Sequence, residues 1–380
     1  MASFDFRTVP HIHARAGSAG WLADIAASLI GTRKRIFLVT DKGVRGLGLL
    51  DGAVAGLENA GLTVAINDSV VADPPVDMVE NVVNEARAFG AELVIGFGGG
   101  SSMDTAKLVA ILLGTDQPLY EMYGVGQVKG SRLPLILIPT TAGTGSEVTP
   151  ISVVTVGETS KVGVNDPALY ADLAVLDAEL TYGLPRAVTA ATGIDAMVHC
   201  IEAYTSRIEK NPISDALALA GLKKLHGAIE RACADGKDTE AREDMLLGAL
   251  LAGQAFANAP VGAVHALAYP LGGIFHVPHG LSNSLMLPPV LRYNAEEADP
   301  LYAELSAHIG LANPGAGALV EEMERIADAV KIETRLSQVG VSHNDLPKLA
   351  EDAMKVQRLL VNNPREMTLE AAQACYEAVL

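Results

Sequence analysis

The feature that most constrains the fold is an alternation of apolar and amphipathic segments over the first half of the chain. Four near-continuous apolar runs fit strands that are buried on both faces of a parallel sheet: RIFLVT (35–40), LTVAIND (62–68), ELVIGFG (92–98) and LPLILIPTT (133–141). Between two of them, VDMVENVVNEARAFG (76–90) has apolar residues at helical spacing and ends in glycine. This alternation predicts an α/β domain built on a parallel sheet.

The second half of the chain has a different pattern. From about residue 184 the strand signal stops, and Ala-, Leu- and Glu-rich helical segments follow: TAATGIDAMVHCIEAYTSR, PISDALALAGLKKLHGAIERA and EAREDMLLGALLAGQAFANA. We therefore predict two domains that meet near Gly183-Leu184-Pro185. The first is an α/β domain over residues 1–183, and the second is an all-α domain over residues 184–380.

Charge and composition limit the partners of the protein. The chain has 28 Lys and Arg against 45 Asp and Glu, a formal charge of −17, and no basic run, which argues against nucleic acid and anionic membranes as partners. No signal-peptide pattern opens the chain, and no apolar run reaches the roughly 18–20 residues of a membrane span. The three cysteines are widely separated and form no CxxC pair, which argues against a disulfide framework and a thiolate metal site. We expect a cytoplasmic protein that acts on a small molecule.

The stretch GIDAMVHCIEA (193–203) places Asp195 and His199 four residues apart in what otherwise reads as a buried helix. Because four residues are just over one helical turn, both side chains leave the same face about 5–6 Å apart. This spacing suits two ligands of one metal ion. The alternative is the start of a helix with a structural histidine.

A second histidine-rich stretch lies further along, in VHALAYPLGGIFHVPHGLSN (264–283), which contains His265, His276 and His279. We expect its proline and paired glycines to break the helical period, so that the segment folds back and brings two of the histidines to one point. A carboxylate with two or three imidazoles suits Fe²⁺, Zn²⁺ or Mn²⁺. Together with the Asp195 and His199 pair, this stretch predicts a metal site.

Two glycine- and hydroxyl-rich turns each follow an apolar strand in the α/β half. GFGGGSSMDTAK (96–107) opens a helix, so its backbone amides face the edge of the sheet where phosphates bind. PTTAGTGSEVT (139–149) offers hydroxyl groups to a polar ligand. An ordinary strand-to-helix connection is the alternative for each turn. Asp41, at the end of an earlier strand, suits either a ribose diol or the N-cap of a helix.

These motifs carry a resemblance to a known family. In their order and spacing, GGGSSMDTAK, PTTAGTGSEVT, ATGIDAMVHCIEAY and the two parts of the histidine-rich stretch resemble the iron-containing (group III) alcohol dehydrogenases over essentially the whole chain. The resemblance implies an N-terminal Rossmann-like NAD-binding domain and a C-terminal helical metal-binding domain. It also implies hydride transfer between NAD(H) and a small alcohol, aldehyde or ketone, and we expect a homodimer or larger homo-oligomer.

The resemblance implies particular site residues as well. The four metal ligands of the family fall on Asp195, His199, His265 and His279. Its NAD-contacting positions fall on Asp41, Gly99, Gly100, Thr140, Thr141, Thr149 and Lys161, and we add Ser101 to the cofactor site. The ion implied is Fe²⁺, with Zn²⁺ or another divalent ion as the alternative.

The chain departs from the family pattern at one position. Many members have a histidine four residues after the third metal ligand, in a proton path, whereas this chain has Tyr269. A phenol is a poor base at neutral pH, so His276 is the alternative proton relay. Phe256 matches a family position near the substrate and favours a small neutral alcohol or aldehyde. Asn363-Pro364-Arg365 matches a family element to which the sequence assigns no role.

Three other functions fit parts of this pattern. A glycerol dehydrogenase-like protein would also use NAD and a metal, but the sequence around His265 and His279 argues against it. A maleylacetate reductase-like protein typically departs from the four metal ligands, which are intact here. A nucleotide-binding protein without turnover would not need a complete metal-ligand set.

Overall fold

The computed structural model of the protein describes residues 3–157 and 160–380. These residues form two compact units. The α/β unit consists of Arg7–Thr141 and Gly145–Tyr182, and the helical unit consists of the described residues up to Phe6, Ala142–Thr144 and Gly183–Leu380. None of the helices in the described part of the chain combines the length and the apolar character that crossing a membrane requires.

The described strands all belong to the α/β unit. In chain order they are β1 (Ile12–Ala14), β2 (Arg35–Asp41), β3 (Thr63–Val70), β4 (Leu93–Gly98), β5 (Gly124–Val125), β6 (Leu135–Pro139), β7 (Ile151–Val156), β8 (Ser160–Asn165) and β9 (Leu173–Leu176). Six of them form a wholly parallel sheet in the order β1-β9-β6-β4-β2-β3. A smaller sheet has the order β5-β8-β7, in which β7 and β8 are antiparallel.

Helices cover the parallel sheet in the α/β unit: α1 (Leu22–Ile25), α2 (Ala27–Ile30), α3 (Lys42–Gly46), α4 (Asp51–Asn59), α5 (Val76–Phe89) and α6 (Gly100–Gly114). Every residue of the central strand β4 is buried, as its continuous apolar run predicted. Helix α5 buries a single stripe that includes Val79, Val82 and Val83, and it ends at Gly90 in the left-handed conformation. The predicted parallel α/β architecture is therefore confirmed.

The order of the strands identifies where this sheet can bind a ligand. From β2 the chain passes to β3 on one side and then to β4 on the other, so the direction of winding reverses between β2 and β4. In open parallel sheets, ligands bind at such a switch point, outside the carboxyl ends of the strands. Here those ends are Asp41 and Gly98, and Pro139 pairs with Gly98 on the neighbouring strand β6.

The helical unit contains nine described α-helices: α7 (Arg186–Thr205), α8 (Pro212–Ala234), α9 (Thr239–Phe256), α10 (Ala263–Phe275), α11 (His279–His308), α12 (Ala316–Ala329), α13 (Leu346–Ala353), α14 (Gln357–Leu360) and α15 (Leu369–Ala378). Helix α7 is buried around its whole circumference from Gly193 to Thr205. The predicted helical C-terminal half is confirmed.

The histidine-rich stretch folds back and brings His265 and His279 together, as predicted, but the predicted break at the proline and paired glycines was wrong. Helix α10 continues through Pro270 and the paired glycines, and the chain reverses only after Phe275, where His276 adopts a left-handed conformation with φ of 54°. Proline removes one helical hydrogen bond at a cost of about 3 kcal/mol. The neighbouring Leu267 and Leu271 are fully buried, and their packing holds the helix together across the proline.

Candidate metal centre and cofactor site

Four side chains of the helical unit converge on one point. Asp195, His199, His265 and His279 each offer one ligand atom, and these atoms all lie within 4.8 Å of one another. From Oδ1 of Asp195, the Nε2 atoms of His199, His265 and His279 lie at 3.9, 3.9 and 3.7 Å. Ligands that are 2.0–2.2 Å from a single ion lie about 3–3.5 Å apart, so the four atoms need to move only slightly to share one ion.

Three helices bring this quartet together. Asp195 and His199 lie one turn apart on α7, His265 lies in the first turn of α10, and His279 is the first residue of α11. The start of α11 approaches α7 closely because the next residue is Gly280. A Cβ atom there would lie 2.3 Å from the carbonyl oxygen of Ala191 and 3.3 Å from Cβ of Asp195. Only glycine permits this packing.

Burial sets the protonation state of the quartet. Burial lowers the pKa of His199 to about 3, although the carboxylate of Asp195 opposes this shift. Burial alone would raise the pKa of Asp195, but the three histidines and a hydrogen bond from Asn283 outweigh it and hold that pKa below its ordinary value. At neutral pH the site therefore holds an ionised carboxylate and a neutral His199, which are the forms that bind metal ions.

A buried carboxylate orients one of the imidazoles. Oε2 of Glu202 lies 2.5 Å from Nδ1 of His265, and Oε1 of Glu202 accepts a hydrogen bond from the backbone N–H of Val264 at 2.8 Å. Because the carboxylate accepts a hydrogen bond from Nδ1–H, the proton of the neutral ring stays on Nδ1 and the lone pair of Nε2 is directed toward Asp195. Metal-binding histidines are usually held in this way.

The side-chain amide of Asn283 contacts three of the four residues of the quartet. Its Nδ2 donates to Oδ1 of Asp195 at 2.6 Å and lies 3.1 Å from Nε2 of His265 and 3.3 Å from Nε2 of His279. Asn283 is fully buried. Its hydrogen bond fixes the orientation of the Asp195 carboxylate.

The donor set fits a divalent first-row metal ion. It provides one carboxylate and three imidazoles and no thiolate, which suits Fe²⁺ or Zn²⁺ better than Ca²⁺ or Mg²⁺. The side chain of His279 is 38% exposed whereas that of Asp195 is 2% exposed, so the site is accessible from the His279 side. A small substrate can approach from there.

Asp41 lies at the switch point of the parallel sheet in the α/β unit. Its Oδ1 accepts from the backbone N–H of Val44 and caps helix α3, as one of the two sequence interpretations predicted. Its Oδ2 accepts a hydrogen bond from Oγ of Ser102 at 3.3 Å, in the first turn of α6. The carboxylate therefore lies beside the glycine-rich turn that follows β4.

The two predicted turns meet at the same edge of the sheet. Gly99 is the N-cap residue of α6 and has no side chain to cap the helix, so Gly100 and Ser101 present unpaired amide groups of the kind that bind phosphate. Thr140 donates its backbone N–H to the carbonyl of Gly98. A Cβ atom on Gly99 would lie 3.8 Å from Oγ1 of Thr141, so the two turns are neighbours.

Lys107 connects helix α6, which follows the first turn, to the second turn. Its fully buried ammonium group donates to Oγ of Ser146 at 2.8 Å and to Oγ1 of Thr149 at 3.2 Å. Ser146 in turn donates to Oδ1 of Asp104 at 2.6 Å. The hydroxyl of Thr149, which the sequence assigned to the cofactor, is engaged in this internal network.

Comparison with known proteins identifies the family. The model for iron-containing alcohol dehydrogenase matches residues 10–178, and the C-terminal model of the Fe-containing alcohol dehydrogenase family matches residues 189–380. The chain belongs to the iron-containing alcohol dehydrogenase family. The predicted family is thus confirmed, and the protein is a metal-dependent oxidoreductase of alcohols and aldehydes.

Individual relatives agree with this family. Long-chain-alcohol dehydrogenase 1 of Geobacillus thermodenitrificans (strain NG80-2) is 41% identical over 354 residues, which is 91% of this chain and 89% of the relative. The crystal structure of a 1,3-propanediol oxidoreductase superposes with a TM-score of 0.95 at 32% identity over the whole of both chains. Sulfoacetaldehyde reductase from Bifidobacterium kashiwanohense, solved in complex with NAD⁺, has a TM-score of 0.91 at 28% identity over 100% of this chain and 99% of that one.

The structure separates the two candidates for the proton relay. The ring of Tyr269 lies against that of His279, with 6.1 Å between their centroids, and its hydroxyl accepts a hydrogen bond from Arg358 at 3.3 Å. His276 lies outside the quartet, exposed at the left-handed end of α10. Tyr269 is therefore the candidate that adjoins a metal ligand.

The remaining predicted residues lie in different surroundings. Phe256 stacks on the ring of His199 with 4.3 Å between centroids, so it lines the quartet. Lys161, on strand β8, forms an ion pair of 2.7 Å with Asp73. Arg365 pairs with Glu296 on the surface of the helical unit.

Two residues of the quartet's surroundings were missed in the sequence, Glu202 and Asn283. Glu202 lies three residues after His199 and seven after Asp195, and Asn283 lies four residues after His279. Both spacings place a side chain on the face of a helix that carries metal ligands. Helical spacing counted onward from each predicted ligand is the signal that identifies them.

Proposed function

We propose that this iron-containing alcohol dehydrogenase uses NAD(H) to interconvert a small neutral alcohol and its aldehyde or ketone, with Asp195, His199, His265 and His279 as the metal ligands. The convergence of these four side chains is the observation that carries the proposal. These four residues would hold a divalent ion, whose Lewis acidity would polarise a carbonyl group and lower the pKa of an alcohol. A nicotinamide bound at the α/β unit would supply or accept the hydride.

Residues of this chain account for the other requirements of the reaction. Gly99, Gly100 and Ser101 offer backbone amides to the pyrophosphate, with Thr140 and Thr141 on the adjacent turn. Asp41 accepts hydrogen bonds from the ribose diol and repels a 2′-phosphate. We retain Thr149 and Lys161 as cofactor contacts. Each would contact the cofactor through its backbone, or through its side chain once Thr149 has released Lys107 and Lys161 has released Asp73. Tyr269 holds the proton that is exchanged with the substrate oxygen.

The surroundings of the quartet favour a neutral substrate. Phe256 covers the His199 ring and Tyr269 adjoins His279, so two aromatic rings border the metal ligands. An apolar border of this kind stabilises short alkyl groups and excludes water from the polarised carbonyl.

One observation favours an anionic aldehyde as a second candidate. The guanidinium of Arg358 lies over the ring of Tyr269 at 5.7 Å and contacts its hydroxyl, which places a positive charge near His279. A sulfonate or carboxylate on the substrate would bind such a charge. The NAD⁺-bound structural neighbour is a sulfoacetaldehyde reductase.

The substrate test compares neutral and anionic carbonyls. NADH oxidation by the Fe²⁺-loaded enzyme is followed with propionaldehyde, glycolaldehyde and sulfoacetaldehyde, in wild type and in Arg358→Leu. We expect the highest kcat/KM with a neutral aldehyde and little effect of the substitution on it. A preference for sulfoacetaldehyde that Arg358→Leu abolishes would establish the second candidate instead.

The metal test uses His199→Ala. We expect the purified variant to lose both bound metal and activity while keeping its circular dichroism spectrum, because one of four ligands is gone. Stoichiometric metal in that variant would contradict the assignment of the quartet.

The identity of the ion is tested by reconstitution. At a site of three imidazoles and one carboxylate, the Irving–Williams order gives Zn²⁺ a higher affinity than Fe²⁺. If iron is the working ion, it must therefore be selected by its availability or its reactivity. We expect aerobically purified protein to be partly inactive or zinc-loaded, and Fe²⁺ added under argon to restore more activity than Zn²⁺. Full activity with Zn²⁺ alone would make zinc the working ion.

We also retain as predictions a cytoplasmic location and a homodimer or larger homo-oligomer. Chemical crosslinking and light scattering of the purified protein test the oligomer.

A further inference from the structure

The C-terminal element Asn363-Pro364-Arg365, to which the sequence assigned no role, lies against the start of the helix that carries His265. Oδ1 of Asn363 accepts a hydrogen bond from the backbone N–H of Ala263, the first residue of α10, at 3.3 Å. Nδ2 of the adjacent Asn362 donates to the carbonyl of Val261 at 3.1 Å. Both asparagines are buried. The chain on each side of the helix start is therefore held by this element.

The same carboxamide joins α10 to α11. Nδ2 of Asn363 donates to Oδ1 of Asn294 at 2.7 Å, and Nδ2 of Asn294 donates back to Oδ1 of Asn363 at 3.0 Å. Asn294 lies on α11, the helix that begins at His279, and is 3% exposed. A reciprocal pair of this kind fixes the orientation of both amides.

Helix α7 takes part through Glu202. The first N–H groups of a helix have no partner within it. At the start of α10, the N–H of Ala263 donates a hydrogen bond to Asn363, and the N–H of Val264 donates one to Glu202. Since Glu202 also bonds His265, all three helices that carry metal ligands meet in one buried hydrogen-bond network.

The fit around Asn363 leaves little freedom of movement. A Cβ atom on Gly262, the residue before α10, would lie 3.2 Å from both Cα and Oδ1 of Asn363. The backbone of the C-terminal element therefore packs directly on the residue that precedes the metal-binding helix.

We propose that Asn363 is a positioning residue for the metal centre. By holding the first turn of α10 against α11 and α7, it fixes Nε2 of His265 relative to the other three ligands. Loss of its side chain removes the partner of the Ala263 N–H and breaks the reciprocal pair with the amide of Asn294, both in a buried place. The first turn of α10 then relaxes, and His265 moves with it. This proposal rests on the metal site assigned above.

The test is Asn363→Ala, measured for metal binding and not only for activity. The dissociation constant is determined by competition with a chelator, and Co²⁺ is used as a spectroscopic probe because its visible bands report ligand geometry. We expect the metal affinity to fall about tenfold, the lower end of the effects of residues that orient metal ligands. We also expect the Co²⁺ bands to shift.

The matched control is Asn211→Ala. Asn211 is also buried and caps the start of α8, a helix without metal ligands, through a hydrogen bond of 2.9 Å from Ser214. We expect this variant to lower the Tm while it leaves the metal affinity and the Co²⁺ bands unchanged.

Asn294→Ala is the second variant, in case Asn363→Ala does not fold. It removes the other half of the reciprocal pair and should weaken metal binding in the same direction. If the folded variants bind metal as tightly as Asn211→Ala and keep the wild-type Co²⁺ bands, Asn363 has only a structural role. If wild type binds no metal, or if His199→Ala keeps its metal, the metal site itself is contradicted. Those outcomes are distinct from failure of the role proposed for Asn363, in which the site binds metal but Asn363→Ala does not weaken it.

Discussion

The carboxylate of Glu202 lies 2.5 Å from Nδ1 of His265, and it also accepts a hydrogen bond from the backbone N–H of Val264. One side chain of α7 thus sets both the backbone and the ring of a metal-binding histidine on α10.

Glu202→Gln should weaken metal binding. Val264 and His265 bond different oxygens of Glu202, and in a glutamine one of these two atoms becomes an NH₂ group that cannot accept, so one of the two hydrogen bonds is lost in this geometry. We expect a 10- to 100-fold rise in the metal dissociation constant, measured by chelator competition. Glu322→Gln is the control, because Glu322 pairs with His226 at 2.7 Å in the same unit and away from the quartet. An unchanged metal affinity in Glu202→Gln would mean that His265 is oriented by other contacts.

Gly280→Ala should disrupt the site without touching a ligand. The added Cβ would lie 2.3 Å from the carbonyl oxygen of Ala191, so α11 must move away from α7 and carry His279 with it. We expect at least a tenfold loss of metal affinity and a lower Tm. Gly227→Ala, in helix α8 with no atom within 4 Å of the new Cβ, should be neutral or should raise the Tm. Equal behaviour of the two variants would contradict the close packing at α11.

Asp41→Asn should relax the choice of NADH over NADPH. Asparagine keeps an acceptor for the backbone N–H of Val44 and so keeps the helix cap, but it removes the charge that repels a 2′-phosphate. We expect the ratio of kcat/KM for NADH to that for NADPH to fall about tenfold, which corresponds to ~1.4 kcal/mol. Wild type that uses NADPH at least as well as NADH would remove this role from Asp41.

The buried carboxyl of Glu147 should make the stability depend on pH. Burial raises its pKa from 4.5 to about 7, although Lys107 opposes the shift. The folded state therefore binds the proton more tightly than the unfolded state, and the free energy of unfolding falls as pH rises from about 4.5 to about 7. We expect the Tm of wild type, relative to Glu147→Gln, to fall between pH 5 and pH 8.

Glu92→Gln is the control for this pH series. Hydrogen bonds from the backbone N–H groups of Lys34 and Arg35 lower the pKa of the Glu92 carboxyl at the surface of the α/β unit. The stability that Glu92 contributes is therefore lost only as pH falls below the ordinary pKa range of a glutamate. Its titration does not change the free energy of unfolding between pH 5 and pH 8. If wild type and Glu147→Gln show parallel profiles in that range, the carboxyl of Glu147 does not titrate there.

Four strands of the parallel sheet, β2, β3, β4 and β6, were predicted because they read as near-continuous apolar runs, and β2, β4 and β6 are buried along most of their length. The short strands β1 and β9 of the same sheet were not predicted. The smaller sheet was not predicted, since β5 has only two residues and β7 and β8 are partly exposed, so neither apolar runs nor strict alternation marks them. The path of α10 was mispredicted because Pro270 is a helix breaker locally, whereas the burial of its neighbours is a property of the folded chain.

The convergence of Asp195, His199, His265 and His279 was predictable for two reasons, the helical spacing of the first two residues and the resemblance to the family. The roles of Asn363 and Lys107 were not predictable. Each forms hydrogen bonds with residues more than 30 positions away in the sequence: Lys107 with Ser146, and Asn363 with Ala263. Only the packing of the helices and turns shows which partner each side chain meets. The predicted domain boundary, the roles of the four metal ligands, the cofactor contacts and the proton relay stay predictions.

The quartet also links the supply of metal to the abundance of the protein. Asp195 and His265 lie on helices that are separated along the chain by α8 and α9, so an unfolded chain does not present them together. An ion that binds only the folded state adds about 2.7 kcal/mol to its stability when present at 100 times its dissociation constant. In a metal-starved cell we therefore expect the chain to unfold more often and to be degraded faster, so that scarcity lowers the amount of enzyme as well as its turnover.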